Sequence, residues 1–141
     1  MTEKSPAKPR PRRILIIDDS EVMLSRMKRA MLSAGYDVVT TTHVVGNARH
    51  ITSCDLIIID YHMPGLNGST VVESMKTVAK SGKHPCSFYV YTSDKAVSAN
   101  YAQLGFDGAF TAKGDEAELL RQLAAYFRLA DVRALRGGEK R

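Results

Sequence analysis

Short runs of consecutive apolar residues alternate along the chain with longer stretches in which apolar residues recur every three or four positions. Unbroken apolar runs of this length are typical of strands buried on both faces, and the longer period is typical of amphipathic helices. Regular alternation of the two predicts the α/β class, with a parallel sheet built from right-handed crossovers. The predicted strands cover residues 14–17, 38–42, 56–60, 88–91 and 109–112.

Five helices are predicted between and after these strands. The first begins at a cap formed by Asp19 or Ser20 and ends at Gly35, because glycine readily adopts the left-handed conformation that closes a helix. Its inward stripe is expected to consist of Met23, Met27, Met31 and Ala34. The predicted helices cover about residues 20–34, 43–53, 67 or 69 to 80, 95–104 and 115–136.

Polar side chains follow four of the predicted strands at the point where each strand ends. Asp18 and Asp19 follow the first strand, Asp60 ends the third, Thr92 follows the fourth and Lys113 follows the fifth. Because the carboxyl ends of parallel strands meet at one edge of a sheet, we expect these side chains to lie close together. Three neighbouring carboxylates repel one another, and a hard divalent cation with oxygen ligands such as Mg²⁺ would relieve that repulsion.

The same residue types are those that phosphoryl transfer to a carboxylate requires. A carboxylate such as Asp60 can attack phosphorus to form an aspartyl-phosphate. A lysine ammonium and a threonine hydroxyl, supplied here by Lys113 and Thr92, would offset the charge on the phosphoryl oxygens. Each residue alone has an ordinary structural explanation as a helix cap, a turn residue or a solvated side chain. Their joint placement at strand ends indicates a site.

Four segments in this order resemble the receiver domain of two-component response regulators. The first is an aliphatic strand that is followed by Asp18-Asp19. The other three are the segment LIIIDYHMPGLNG at 56–68, Tyr91-Thr92-Ser93, and Phe110-Thr111-Ala112-Lys113. The resemblance covers about residues 13–128. It implies a flavodoxin-like (βα)5 doubly wound sheet of strand order 2-1-3-4-5, with Asp60 as the phosphoacceptor of a histidine kinase.

The resemblance also implies roles for the surrounding residues. Mg²⁺ would be bound by Asp18, Asp19, Asp60 and the backbone carbonyl of His62. Thr92 and Lys113 would contact the phosphoryl group, and Phe110 stands where the family has an aromatic switch residue. Two positions depart from the usual pattern: Phe110 lacks the hydroxyl of tyrosine, and Gly114 stands where a proline often follows the lysine. Because a non-proline cis bond is costly, the 113–114 peptide is expected to be trans.

Length bounds the organisation of the chain. At 141 residues the chain fits one domain, and we expect a disordered basic tail over 1–12, a receiver over 13–128, and a basic helix extension and tail over 129–141. A stand-alone receiver without an effector domain is therefore expected. No apolar run approaches the roughly 18 residues that a membrane span requires. We expect a cytoplasmic location, with Cys54 and Cys86 as reduced thiols.

Charge is concentrated at the two ends of the chain. Residues 1–13 contain five basic side chains and one acidic, residues 128–141 contain five basic and two acidic, and the net charge of the chain is +5. Basic ends can contact nucleic acid, anionic lipid or an acidic partner, or remain solvated. An alternative function is therefore a receiver-fold binding module whose tails bind nucleic acid or an anionic ligand such as a cyclic dinucleotide. The absence of aromatic residues between the basic residues disfavours nucleic acid.

Enzymes with an aspartate nucleophile form a second alternative. Phosphatases of the haloacid-dehalogenase type place an aspartate two residues after the nucleophile, where this chain has His62, and they carry a cap domain for which there is no room. We therefore expect no enzyme activity beyond self-catalysed phosphotransfer and autodephosphorylation.

The expected partners are a sensor histidine kinase or phosphotransfer protein and an unidentified output protein. The last helix extends beyond what is needed to cover the sheet. Arg128, Val132 and Leu135 lie on this amphipathic extension, which either contacts a partner or a second copy of the chain or forms a solvated helix end.

Overall fold

The computed structural model describes residues 11–63, 68–82 and 85–139, with side chains described in 11–63, 71–82 and 85–135. Five strands form one parallel sheet of order β2-β1-β3-β4-β5, which confirms the predicted fold class and strand order. The strands are β1 (Arg13–Ile17), β2 (Asp37–Thr41), β3 (Leu56–Asp60), β4 (Ser87–Tyr91) and β5 (Gly108–Phe110). The Pro64-Gly65 turn, the Asn67 helix start, the tail over 1–10 and residues 140–141 lie outside the described residues.

Helices connect the strands and cover both faces of the sheet. They are α1 (Glu21–Ser33), α2 (Ala48–Ile51), α3 (Gly68–Ala79), α4 (Lys95–Ala99) and α5 (Glu116–Glu139). α1 and α5 pack on one face, around a core that includes Ile14, Ile16 and Leu123. α2, α3 and α4 pack on the other, around residues such as Ile57 and Ile59. The central strand β3 is buried at every position, because both of its faces are covered.

Two of the predicted helices are shorter in the structure. α2 spans Ala48–Ile51 instead of 43–53, because Gly46 has a φ of +84° and the Asn47 side chain donates to the carbonyls of His43 and Val44. These side-chain bonds satisfy backbone acceptors outside a helix and so compete with helix formation. α4 spans only Lys95–Ala99 instead of 95–104.

The buried face of α1 differs from the predicted stripe. Leu24, Met27 and Met31 are buried against the sheet, whereas Met23 is only partly buried and Ala34 is exposed at the helix C-cap. Met23 packs against the edge of this core, but the prediction of Ala34 as a core residue was wrong, because the helix presents Leu24, Met27 and Met31 to the sheet and ends at Ala34. Gly35, with a φ of +95°, ends the helix as predicted.

Residues near the two ends of the described region contact each other at the amino edge of the sheet. Arg12 forms an ion pair with Asp131 of α5, and its guanidinium lies 5.0 Å from the centroid of the Phe127 ring. Cys54 and Cys86 are free thiols, and burial raises their pKa values to about 11 and about 12. Among the described residues no helix is long and apolar enough to cross a membrane.

Candidate functional site

The three predicted carboxylates meet at the carboxyl edge of the sheet. β1 and β3 are paired so that Ile17 faces Ile59, which brings the residues that follow, Asp18 and Asp60, side by side. Each of Asp18, Asp19 and Asp60 offers one carboxylate oxygen, and these oxygens all lie within 4.8 Å of one another. Asp18 is 1% exposed and Asp60 5% exposed, whereas Asp19 faces solvent. The site is therefore a buried acidic pair with an open third side.

Lys113 supplies the cation that contacts both buried carboxylates. Its Nζ lies 2.6 Å from Oδ1 of Asp60 and 3.3 Å from Oδ2 of Asp18. Lys113 reaches the cluster from the loop after β5, at the same edge of the sheet. The structure thus places Lys113 against the aspartates that it was predicted to face.

The environment of Asp18 disfavours its negative charge. Burial is the main cause that raises its pKa above the ordinary 3.8, and the charge of Asp60 raises it further. The Ser20 backbone N–H, which donates to Asp18 Oδ1 at 2.9 Å, and the Lys113 ammonium both act in the opposite direction. The buried Oδ2 contacts the Lys113 ammonium at 3.3 Å and has no other hydrogen-bond partner among the described residues. The negative charge of Asp18 is thus offset by one shared ammonium within a cluster of three carboxylates.

These donors fit a magnesium ion. Mg²⁺ prefers hard oxygen ligands and usually takes a few carboxylates while keeping several waters. Three converging carboxylates offer that ligand set. His62, whose backbone carbonyl is the fourth predicted ligand, follows directly on this strand, and its N–H donates to Asp60 Oδ1 at 3.4 Å. Its side chain is exposed.

Thr92 and Phe110 are connected through the backbone. The Thr92 N–H donates to the Phe110 carbonyl at 3.1 Å, and the Thr92 hydroxyl accepts from the Asp94 N–H at 3.0 Å. The Phe110 ring is buried, with its centroid 4.6 Å from that of Tyr89 and 6.4 Å from that of Tyr126. The predicted switch residue therefore points inward, into an aromatic cluster beneath α5.

An open cleft of about 410 Å³ leads to the site. It is lined by Met23, His62, Thr92, Ser93, Asp94, Lys113 and Gly114. Met23 was predicted as part of the α1 core stripe and not as a lining residue of this cleft. No local signal could have found it, because a methionine at helical spacing fits a core stripe equally well.

The C-terminal residues predicted to contact a partner lie away from this site. α5 begins beside Lys113 and runs toward the opposite edge of the sheet, so Arg128 is about 18 Å along the helix from Glu116. Arg128 is exposed, and Val132 and Leu135 are 40% and 68% exposed. The helix is continuous through this stretch, and a role for it in partner or dimer contact stays a proposal.

Removal of one buried carboxylate is expected to stabilise the metal-free protein. Asp18→Asn should raise the unfolding free energy by about 0.5–2 kcal/mol, the usual range for single stabilising substitutions, because it removes a carboxylate whose charge is disfavoured. A raised pKa in the folded state means that wild type loses stability as pH rises from 3.8 through that raised value. Urea unfolding with EDTA between about pH 4 and pH 8 measures this.

In Asp18→Asn, the unfolding free energy should not show the part of the decrease with rising pH that the Asp18 carboxylate causes. This variant should also gain less stability from added Mg²⁺ than wild type does. Asp107→Asn is the matched control, because the Asp107 carboxylate is paired with Lys76 at 3.0 Å and its removal should bring no gain. Equal stability of Asp18→Asn and wild type at all pH values would contradict the prediction.

Comparison with known proteins agrees with the fold. The family model of the response regulator receiver domain matches residues 14–124. The two-component response regulator PprB of Pseudomonas aeruginosa is 32% identical over 73 residues, which cover 50% of this chain and 26% of PprB. The sensory/regulatory protein RpfC of Xanthomonas campestris pv. campestris is 30% identical over 90 residues, which cover 62% of this chain and 12% of RpfC. The chain thus spans well under two thirds of the length of either curated relative.

Solved structures show the same fold. The chemotaxis response regulator CheY4 of Vibrio cholerae matches with a TM-score of 0.66 at 20% identity, covering 82% of this chain and 98% of that chain. Since the family model covers most of the sequence, the chain belongs to the response regulator receiver domain family of two-component systems.

Proposed function

We propose that this receiver domain accepts a phosphoryl group on Asp60 from a histidine kinase or a phosphotransfer protein, and signals through phosphorylation-dependent binding of a partner. The observation that carries the proposal is the contact between Lys113 Nζ and Asp60 Oδ1 at 2.6 Å, beside the three-carboxylate cluster. A buried aspartate held against a cation, at the mouth of an open cleft, suits a nucleophile that attacks an anionic group.

The transfer step needs little from the protein beyond positioning and charge. A carboxylate oxygen of Asp60 would attack phosphorus while the phosphorus–nitrogen bond of the donor phosphohistidine breaks, and its electron pair returns to the imidazole. The Lys113 ammonium and the Thr92 hydroxyl would then donate to the phosphoryl oxygens. Mg²⁺, held by Asp18, Asp19, Asp60 and the His62 carbonyl, would supply further positive charge to those oxygens.

The phosphorylated state would be communicated through Thr92 and Phe110. Because the Thr92 N–H is bonded to the Phe110 carbonyl, a displacement of Thr92 toward the phosphoryl group would pull on β5. Phe110 has no hydroxyl, so its response would be a change of packing against Tyr89 and Tyr126. The surface over these residues would then differ between the two states.

Phosphorylation by a small-molecule donor tests the proposal. Incubation with acetyl phosphate and Mg²⁺ should add the mass of one phosphoryl group to the intact protein, and peptide mapping should place it on Asp60. Chelation of Mg²⁺ by EDTA should prevent the gain. No added mass, or a phosphoryl group on another residue, would contradict the proposal.

A further inference from the structure

The loop that carries Lys113 has an unusual backbone conformation on both sides of this residue. Ala112 has a φ of +58° and Gly114 a φ of +100°. Residues other than glycine rarely adopt such values, and they persist only where surrounding contacts hold them. Proline cannot occupy position 114 in this loop, because its ring fixes φ near −65°. The 113–114 peptide is trans, as predicted. Lys113 is therefore positioned by contacts different from those that a proline would provide.

The hydroxyl of Tyr91 provides such contacts on both sides of Lys113. It accepts from the Gly114 N–H at 3.1 Å and donates to the Ala112 carbonyl at 3.4 Å. Tyr91 ends β4, is 1% exposed, and packs in the core between the sheet and the α1 and α5 helices. Burial raises the pKa of Tyr91, so its hydroxyl keeps the proton that it donates. A proline at 114 would also lack the N–H that this hydroxyl binds.

The Asp115 N–H also donates to the Ala112 carbonyl, at 3.0 Å, within the loop itself. Two further side-chain contacts hold residues 113 and 114 from the surface. Arg26 Nη2 donates to the Gly114 carbonyl at 3.1 Å and pairs with Glu116. The Ser93 hydroxyl donates to the Lys113 carbonyl at 3.4 Å. The Arg26 side chain is half exposed and Ser93 is exposed, so solvent competes with both contacts. Of the three side chains that bond to the backbone of this loop, Tyr91, Arg26 and Ser93, only Tyr91 is buried.

We propose that Tyr91 is a positioning residue for phosphoryl transfer: its hydroxyl fixes the 112–114 backbone so that Lys113 reaches Asp60. The inference rests on the proposed function of Asp60 and adds to it a residue that does not touch the reacting atoms. Neither the Tyr91 side chain nor the Gly114 N–H is part of the acidic cluster. They act through Lys113, which contacts Asp60 and Asp18.

Tyr91→Phe is the direct test, because it removes the hydroxyl and keeps the ring. The rate of phosphorylation by acetyl phosphate at saturating Mg²⁺ should fall about tenfold, short of the roughly 100-fold that a 1 Å misplacement can cost. The affinity for Mg²⁺ should be unchanged, because the carboxylates are intact. Tyr36→Phe is the matched control: it makes the same change in a half-buried tyrosine directly before β2, at the opposite edge of the sheet from the acidic cluster, and should leave the rate unchanged.

A double-mutant cycle separates positioning from general destabilisation. In a Lys113→Met background, Tyr91→Phe should cause no further loss of rate, since the group that it positions is already absent. Its effect on the thermal unfolding midpoint should be the same in both backgrounds. If Tyr91→Phe slows Lys113→Met as much as it slows wild type, the positioning role is wrong.

The two proposals fail in different ways. Phosphorylation of Tyr91→Phe at the wild-type rate would overturn the role of Tyr91 and leave that of Asp60 intact. A wild-type protein that gains no phosphoryl group would overturn both.

Discussion

Asp60→Asn is expected to abolish phosphorylation by acetyl phosphate. The substitution replaces the attacking carboxylate by an amide of the same shape, so the nucleophile is lost while the surrounding packing is kept. Removal of a nucleophile typically costs about 10⁴-fold or more in rate, and intact-mass measurement should show no phosphoryl gain over the time in which wild type is fully modified. Asp60 is the carboxylate of the cluster that lies closest to the Lys113 ammonium, at 2.6 Å, so the loss of its nucleophile should not be made good by Asp18 or Asp19.

The matched control for this prediction is Asp94→Asn. Asp94 lines the same cleft, but it caps α4 by accepting from the Ala96 and Val97 N–H groups. Asparagine is an equally good cap, so this variant should still gain one phosphoryl group. Phosphorylation of Asp60→Asn to the wild-type extent, or loss of phosphorylation in Asp94→Asn alone, would place the acceptor elsewhere.

Lys113→Met is expected to destabilise the metal-free protein by about 3 kcal/mol, the lower end of the range for removing one partner of a buried ion pair. The lower end applies because the Lys113 side chain is still 23% exposed. The substitution leaves Asp18 and Asp60 buried without the ammonium that contacts both of them. Urea unfolding at neutral pH in EDTA measures the loss.

Mg²⁺ should restore most of that stability, because the ion replaces the missing positive charge. The stabilisation of Lys113→Met by a given Mg²⁺ concentration should therefore exceed that of wild type. Lys95→Met is the control, since Lys95 is an exposed lysine at the start of α4 and its loss should change the unfolding free energy by less than about 0.5 kcal/mol. A Lys113→Met variant as stable as wild type in EDTA would show that the ion pairs contribute nothing.

Lys113→Met and Asp18→Asn are thus expected to change stability in opposite directions for one reason. Both substitutions change the balance between buried negative charge and the cation that offsets it. The acidic cluster is an arrangement that is unfavourable without a cation and suited to binding one, as is common where function requires local destabilisation.

Much of the site could be predicted because its residues are defined by local pattern. An apolar run that ends in a carboxylate, as at Ile59-Asp60, identifies both a buried strand and the edge at which the carboxylate lies. Helix lengths were predicted less well. α2 is short because the Asn47 side chain bonds carbonyls of the preceding turn, a competition that hydrophobic periodicity does not register.

The side of a helix that faces the core was also beyond local pattern. Met23 and Met27 are one turn apart in sequence, yet only Met27 is buried, whereas Met23 lines the cleft. The rotation of α1 about its axis depends on how it packs against β2 and α5, which involves residues distant in sequence.

The sequence by itself determined the presence and the order along the chain of the five strands, because strand periodicity and chain direction are local properties. It overestimated β5, which ends at Phe110 and not at Ala112 as predicted, so that Lys113 lies in the loop that follows. The tertiary structure alone decided that Lys113 contacts Asp60 more closely than Asp18, that the Phe110 ring points inward, and that the Tyr91 hydroxyl binds the loop at Gly114. These outcomes join residues from different strands. Distances between such residues are set by the packing of the whole core, which no short stretch of the chain encodes.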